Sequence, residues 1–385
     1  MNKKIYADNA ATTRLSKSAF DAIQPYLTDG FGNPSSIYSV GREARKAVED
    51  ARKSVAEVIG ASTNEIYFTG SGTESDNWAI KSVSELKKDK GRHIITSAIE
   101  HPAVLNTLKH LEKSGYSVTY LGVDEFGQIL LDELYAAISN ETILITIMTA
   151  NNEIGTILPI SEIGKIALER GILFHTDAVQ AVGHIPINVS ETNADLLSFS
   201  GHKFGGMKGT GVLYVRKGLR LPSFLHGGEQ ERGQRSGTEN VAGIVSLAVA
   251  LNDITQRLPL NEVSKMRDKL ITELLKIPRS RLTGDPVNRL PGIASFVFEC
   301  IEGESMLLLL DQAGICASSG SACSSGSLDP SHVLLAVGLP HEIAHGSLRL
   351  SLSENNTDED IDYIIEKLPG IVARLREMSP LWNEI

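Results

Sequence analysis

Asp195-Leu196-Leu197-Ser198-Phe199-Ser200-Gly201-His202-Lys203-Phe204-Gly205-Gly206-Met207-Lys208-Gly209-Thr210-Gly211 is the stretch from which the fold is read. Leu196, Leu197 and Phe199 form an apolar run that reads as a buried strand. It delivers Ser200, His202 and Lys203 into a segment too rich in glycine to continue it. Lys203 therefore belongs to a strand end and not to a solvated helix. A lysine among apolar neighbours gives up its proton more readily, and a neutral amine condenses with an aldehyde.

Upstream, the chain repeats the same arrangement. Glu65 to Thr69 reads as a strand, followed by Gly70-Ser71-Gly72-Thr73-Glu74-Ser75 and helical sequence from Asp76 on. A strand, a glycine loop and a helix start aim free N–H groups and a dipole at an anion, so this stretch should hold a phosphate. A simple strand-to-helix turn accounts for this stretch equally well. Neither a dinucleotide fingerprint nor a P-loop is present, because the third glycine and the Gly-Lys pair are missing. Strand His93 to Ser97 leads to His101, strand Thr142 to Met148 to Asn152, and strand Ile172 to His175 to Asp177 and Gln180. Repeated strand-helix units predict a mostly parallel sheet with helices on both faces, and ligands of such sheets lie beyond the carboxyl ends of the strands. His101, Asn152, Asp177, Gln180 and Lys203 would then converge on one edge. Taken singly, each could merely cap a helix or satisfy backbone groups. Together with the glycine loop they supply an amine, an acid and anion donors, the set a pyridoxal phosphate enzyme needs.

The 385 residues suffice for two domains, and a net charge of -10 argues against nucleic acid or an anionic membrane as partner. No run approaches the ~20 apolar residues of a membrane span. The start lacks a signal-like apolar stretch, so the cytoplasm is the expected compartment. Three cysteines without Cys-x-x-Cys or zinc-spaced histidines exclude a disulfide framework. Cys300 closes the run from Ile293 and Cys316 follows Gly314-Ile315, and both read as buried core thiols. Cys323 lies in Ser318-Ser319-Gly320-Ser321-Ala322-Cys323-Ser324-Ser325-Gly326-Ser327, a loop of small residues that leaves its sulfur unshielded and suited to nucleophilic work. Residues 226–240 carry almost no apolar side chain, which predicts a functional or disordered segment. The domain boundary is expected near Leu258-Pro259, giving a large domain over 15–257 and a small α+β domain from 1–14 and 258–385 that carries the mobile cysteine loop, 318–330.

With Lys203, Asp177 and Cys323 in view, the chain resembles the group I (NifS-like and IscS-like) cysteine desulfurases of the class V aminotransferase family. These are α/β enzymes of pyridoxal-phosphate fold-type I with a seven-stranded-type sheet. The likeness runs from Asp8-Asn9-Ala10-Ala11-Thr12-Thr13 through Gly32-Asn33-Pro34-Ser35-Ser36, Thr73-Glu74-Ser75-Asp76-Asn77 and Glu100-His101. It continues through Asn151-Asn152-Glu153-Ile154-Gly155, His175 to Gln180, Ser200 to Lys203 and Arg235-Ser236-Gly237-Thr238 to the Cys323 loop. The resemblance implies that Lys203 holds the cofactor, Asp177 pairs with its ring nitrogen, and His101 stacks on the ring and moves protons. It implies ring-hydroxyl contacts from Asn152 and Gln180 and phosphate contacts from Gly72, Thr73, Ser200 and His202. Thr238 would reach the phosphate of a neighbouring subunit in a homodimer. Arg349 would clamp the substrate carboxylate with help from Asn33. L-cysteine would yield L-alanine, with sulfur passing to Cys323 as a persulfide. From there it would go to an acceptor protein such as an iron-sulfur scaffold or a tRNA-thiolation enzyme, Cys323 serving also as a transient cluster ligand. Proline and glycine are common in the family where Met207 and Glu229 stand here. A fold-type I aminotransferase or lyase would share the lysine, the aspartate and the phosphate loop but would have no use for Cys323. A catalytically idle scaffold that only docks sulfur-transfer partners is a third reading.

Overall fold

The computed structural model describes residues 4–320 and 329–382. Its strands are β1 (Ile5–Tyr6), β2 (Ile66–Thr69), β3 (His93–Ser97), β4 (Ser117–Leu121), β5 (Thr142–Thr146), β6 (Leu173–Asp177), β7 (Leu196–Ser200), β8 (Gly211–Val215), β9 (Ser280–Leu282), β10 (Ile293–Phe298), β11 (Ile315–Cys316) and β12 (Ser347–Ser351). Seven of them form one sheet in the order β2-β8-β7-β6-β5-β3-β4. From β7 to β4 all pairings are parallel, and β8 alone runs against its two neighbours. Strands β3, β5, β7 and β8 are buried along their whole length, which is why none shows the alternation of a half-exposed strand. Edge strand β4 is only half-buried.

Helices cover both faces. Ala44, Val48, Ala51, Val55 and Ile59 make the buried stripe of helix Ser39–Ile59, and this helix packs against Val241–Thr255. On another layer Trp78, fully buried in helix Gly72–Lys87, lies edge-on to Tyr67 and stacked on Phe224. That helix begins at Gly72, four residues before the expected start at Asp76. The Ser71 hydroxyl accepts the Glu74 N–H at 3.1 Å and so caps the chain earlier than apolar spacing indicates.

The remaining strands build a second region. β12, β10 and β9 form an antiparallel sheet, β1 pairs with β11, and the backbone of Ala7 and Asn9 pairs with Ser351. Ile5 and Ala7 share a core with Phe296, Phe298, Leu348, and helices Asn261–Leu274 and Asp358–Met378. Strand β9 and the short helices Val189–Thr192, His332–Ala336 and His341–Ala344 escape sequence reading because none is long enough to show a period.

One expectation is corrected. Cys300 and Cys316 are each only partly buried. The apolar run ends at Phe298, and Cys300 sits in the following turn with φ 65°. Of the two outcomes expected for residues 226–240, functional or disordered, the second does not hold, since the segment is folded. Glu231 makes a two-pronged ion pair with Arg52, both bonds 2.8 Å, and accepts the Phe68 N–H at 3.0 Å. Arg235 grips Glu74 in the same way, at 2.6 and 3.1 Å.

The Arg52 and Glu231 side chains are 6% and 3% exposed, so removing one leaves the other charged in an apolar setting. Glu231→Ala is expected to lower the unfolding free energy by about 3–5 kcal/mol, read from the urea midpoint. A loss below 1 kcal/mol, the size typical of exposed pairs, would contradict this account.

Candidate functional site

The ends of β2, β6 and β7 and the turns after β3 and β5 surround a cavity of about 460 Å³. Lys203 closes the short turn Gly201–Lys203 that follows β7, and its Nζ donates to Ala10 O at 2.6 Å and Ala11 O at 3.0 Å. Those carbonyls belong to the loop after β1, which is fastened to the same turn. Thr13 N and Oγ1 both donate to His202 O, and Thr13 Oγ1 accepts the Gly205 N–H at 2.8 Å. Gln180 Nε2 donates to Ala10 O at 2.8 Å, so one oxygen serves both side chains.

Asp177 ends β6 on the cavity wall, 5% exposed, with Oδ1 accepting the Val179 N–H at 2.9 Å. Burial raises its carboxyl above the ordinary range, while the charges of His101 and Lys203 pull the other way. His101 caps helix Pro102–Glu112, its Nδ1 accepting the Ala103 N–H at 3.1 Å. The modest role and the functional one therefore coincide. With Nδ1 as acceptor, the proton of the neutral ring sits on Nε2. Burial favours that neutral ring.

At the other end of the cavity lie Gly72 and Thr73, in the first turn of a sixteen-residue helix, beside Ser200 and His202. A Cβ at Gly72 would stand 2.6 Å from Val179 Cγ2, so only glycine brings this backbone so close. Glu74 does not disturb an anion there, because Arg235 and the Gly70 N–H hold its carboxylate. His202 bonds Thr12 Oγ1 through Nδ1 and is held neutral, pushed down to about 4 mainly by burial.

Arg349, on β12, is 3% exposed; it donates to Asn152 O at 3.0 Å and to Asp8 Oδ1 at 2.9 Å. Asp8, Asp76 and Ser318 also line the cavity, and none was assigned a role from the sequence. Among the described residues, Asp76 Oδ1, Glu100 Oε2 and Arg349 Nε are buried side-chain atoms without a hydrogen-bond partner. Asn33 and Thr238 are exposed and do not line this cavity; Asn33 Oδ1 accepts the Ser35 N–H instead. Cys323 lies outside the described residues.

These groups fit pyridoxal phosphate. The cavity has an amine within reach of an aldehyde, a buried carboxylate able to face a ring nitrogen, and a close-packed helix start for a phosphate, and its size suits one small ligand. A larger cleft of about 1060 Å³ opens on the far side of Lys203, towards Arg257 and Glu354. It lacks Asp177, His101 and the Gly72–Thr73 helix start, so the chemistry belongs to the smaller cavity.

The model of the family described as aminotransferase class-V matches residues 5–364. The chain is 57% identical over 382 residues to the protein named cysteine desulfurase IscS of Methanosarcina thermophila, covering 99% of this chain and 95% of that one. It is 52% identical over 389 residues to a Clostridium botulinum protein of the same name, covering 100% and 98%. Among solved structures, a NifS-like protein superposes with a TM-score of 0.92 at 39% identity, over 97% of this chain and all of that one. A structure described as SspA in complex with cysteine gives 0.82 at 37% identity, over 90% and 98%.

Beneath the cavity Glu100 is buried, with Oε1 accepting from Ser97 Oγ and the Met148 N–H. Burial pushes its carboxyl from 4.5 up to about 8 against those bonds. The folded chain thus keeps a proton that the unfolded chain loses between about pH 4.5 and pH 8, and stability falls as pH rises through that window. Glu100→Gln has nothing to ionise. Its urea midpoint should gain steadily on that of the unaltered chain from pH 5 to pH 8; a gap independent of pH would refute the buried neutral acid.

Proposed function

The chain belongs to the class-V aminotransferase family and is a cysteine desulfurase dependent on pyridoxal phosphate, and we propose that Cys323 receives the sulfur in a cavity run by Lys203, Asp177, His101 and Arg349. When bound, the cofactor supplies a ring that withdraws electrons from the substrate's α carbon. The remaining work falls to side chains. Lys203 Nζ would hold the cofactor's aldehyde carbon and, when free, would accept the substrate's α proton. The Asp177 carboxyl would pair with the ring nitrogen. His101 would supply a neutral imidazole whose Nε2 carries a mobile proton. Asn152 and Gln180 take the ring hydroxyl, while the Gly72 and Thr73 N–H groups, Ser200 and His202 bind the phosphate. Arg349 binds the substrate carboxylate in a paired geometry, in exchange for its bond to Asp8.

Sulfur transfer then balances simply. The Cys323 thiolate attacks the substrate sulfur, a sulfur–sulfur bond forms, and the carbon–sulfur bond breaks. The carbon takes a proton and leaves as alanine, and Cys323 keeps the sulfur as a persulfide. An acceptor protein, an iron-sulfur scaffold or a tRNA-thiolation enzyme, takes it from there, with Cys323 also serving as a transient cluster ligand. Residues 1–14 and 258–385 form the unit that carries Cys323 against the larger unit, 15–257; the core shared by Ile5, Ala7 and the C-terminal helices supports that division.

Asn33 and Thr238 act across a homodimer, Thr238 on the neighbour's phosphate. Their exposure away from this chain's own cavity supports that reading, as do Phe31 and Ile37, 78% and 86% exposed beside Asn33. No helix among the described residues is long and apolar enough to cross a membrane. We place the reaction in the cytoplasm.

The observation that carries this reading is the meeting of amine, carboxylate, imidazole and guanidinium in one cavity whose rim includes Ser318, five residues before Cys323. Cys323→Ala should bind pyridoxal phosphate with unaltered visible absorbance yet form neither persulfide nor sulfide from L-cysteine. Unchanged desulfuration by that variant would favour a lyase that needs no thiol of its own.

A further inference from the structure

Arg289 lies on the connection between β9 and β10, is 4% exposed, and has no carboxylate partner among the described residues. The two acids that influence its charge are engaged elsewhere. Asp268 pairs with Arg267 at 2.7 Å, and Asp285 accepts the Val287 and Asn288 N–H groups, each at 2.8 Å, and Gln128 Nε2 at 3.1 Å. Burial first, and then the charge of Arg267, lower the Arg289 guanidinium to about 10, so it is still cationic at neutral pH. A buried cation without a counter-ion costs stability, and its retention asks for a function.

What its fork touches is a junction. Nη2 donates to Ile154 O at 2.8 Å and to Thr283 O at 3.1 Å, Nε donates to Ile293 O at 3.2 Å, and Nη1 has no partner among the described residues. Thr283 follows β9 and Ile293 opens β10, whereas Ile154 belongs to the turn after β5. Two residues before Ile154, Asn152 lines the cavity, and its carbonyl accepts from Arg349 Nη1 at 3.0 Å. Two residues after Ile293, Ser295 stands opposite Arg349 in the register of β10 with β12. The path from Arg349 through Asn152, Ile154, Arg289, Ile293 and Ser295 thus returns to Arg349. The other bonds across the junction, Leu290 N–H to Gly155 O at 2.8 Å and Ile157 N–H to Asn288 O at 2.9 Å, lie beyond Ile154 in the chain. The approach at Ile154 is backbone on backbone, for a Cβ at Gly284 would stand 2.4 Å from its carbonyl oxygen.

We propose that Arg289 is a positioning residue for carboxylate recognition, its fork fixing the turn that bears Asn152 to β10 and so setting where the Arg349 guanidinium meets the substrate. Two residues of chain span at most about 7 Å, so the seat of the Ile154 carbonyl constrains that of Asn152. Arg349 is held from one side by its strand pairing and from the other by Asn152 O, and Arg289 keeps those two sides at a fixed separation. A planar fork with donors in set directions can do this; a lysine, a point charge on a flexible stem, reproduces it only in part. A ligand with a carboxylate feels the placement of Arg349, and a ligand without one does not.

This inference rests on Arg349 receiving the substrate carboxylate, and the test separates the two. Holoenzyme variants are mixed with aminooxyacetate or with O-methylhydroxylamine. Both reagents condense with the cofactor's aldehyde carbon and displace Lys203, but only the first carries a carboxylate; the rate is read from the visible absorbance. Arg289→Met should slow the reaction with aminooxyacetate about tenfold and raise KM for L-cysteine by a similar factor, with O-methylhydroxylamine within about twofold of the unaltered chain. Arg289→Lys should lose about threefold with aminooxyacetate, and it decides by the same comparison if Arg289→Met does not fold. Adding Arg289→Met to Arg349→Lys should cost no further preference for aminooxyacetate. Equal slowing of both reagents marks a merely structural residue and overturns the proposal, as does an unaltered rate with aminooxyacetate. If Arg349→Lys loses the preference while both Arg289 variants keep it, only this inference fails. If Arg349→Lys keeps the preference, the assignment of Arg349 fails first and this inference with it.

Discussion

The Lys203 amine is aimed by the backbone. Two carbonyls, Ala10 O and Ala11 O, accept from its Nζ at 2.6 and 3.0 Å. Their positions depend on most of the molecule. The loop bearing them leaves β1, which pairs with β11, crosses Ser351 of β12, and ends stapled to the turn after β7 by Thr13. Residues 5–13 are thus the bridge by which the C-terminal sheet, with Arg349, is registered on the end of the large sheet, with Lys203.

The second organising feature is a cluster of buried acids. Asp76 and Asp177 line the cavity with Glu100 beneath them, and burial raises all three. Asp76 lies 3.6 Å from His175 Nε2, but that contact is not an ion pair. His175 is wholly enclosed and pushed down to about 3, so its ring is neutral, bonded to Thr146 and Ser198 instead. The fold holds these acids out of water at a cost, and burial drives them towards the protonated form.

The parts of this architecture legible in the chain were those governed by local pattern. Strands buried on both faces left continuous apolar runs, as at Leu196–Phe199, and the polar residues following them converged as the parallel topology requires. What escaped was set by contacts distant in sequence. Nothing near Glu231 reveals Arg52 as its partner, and nothing near Asp8 reveals Arg349; these pairs are joined only by the fold. Asn33 and Thr238, identified through resemblance, do not line the cavity of their own chain. Cys300 was misplaced because an apolar run was extended one turn too far.

The shared oxygen of Ala10 has one more implication. Gln180 Nε2 holds it at 2.8 Å through a bond of its own, separate from that of Lys203 Nζ. The N-terminal strap therefore has a tether that does not depend on the amine. A chain with Lys203 exchanged should retain this doorway in its working shape. It would make a faithful decoy for trapping amino-acid ligands or downstream proteins that recognise the mouth of the pocket.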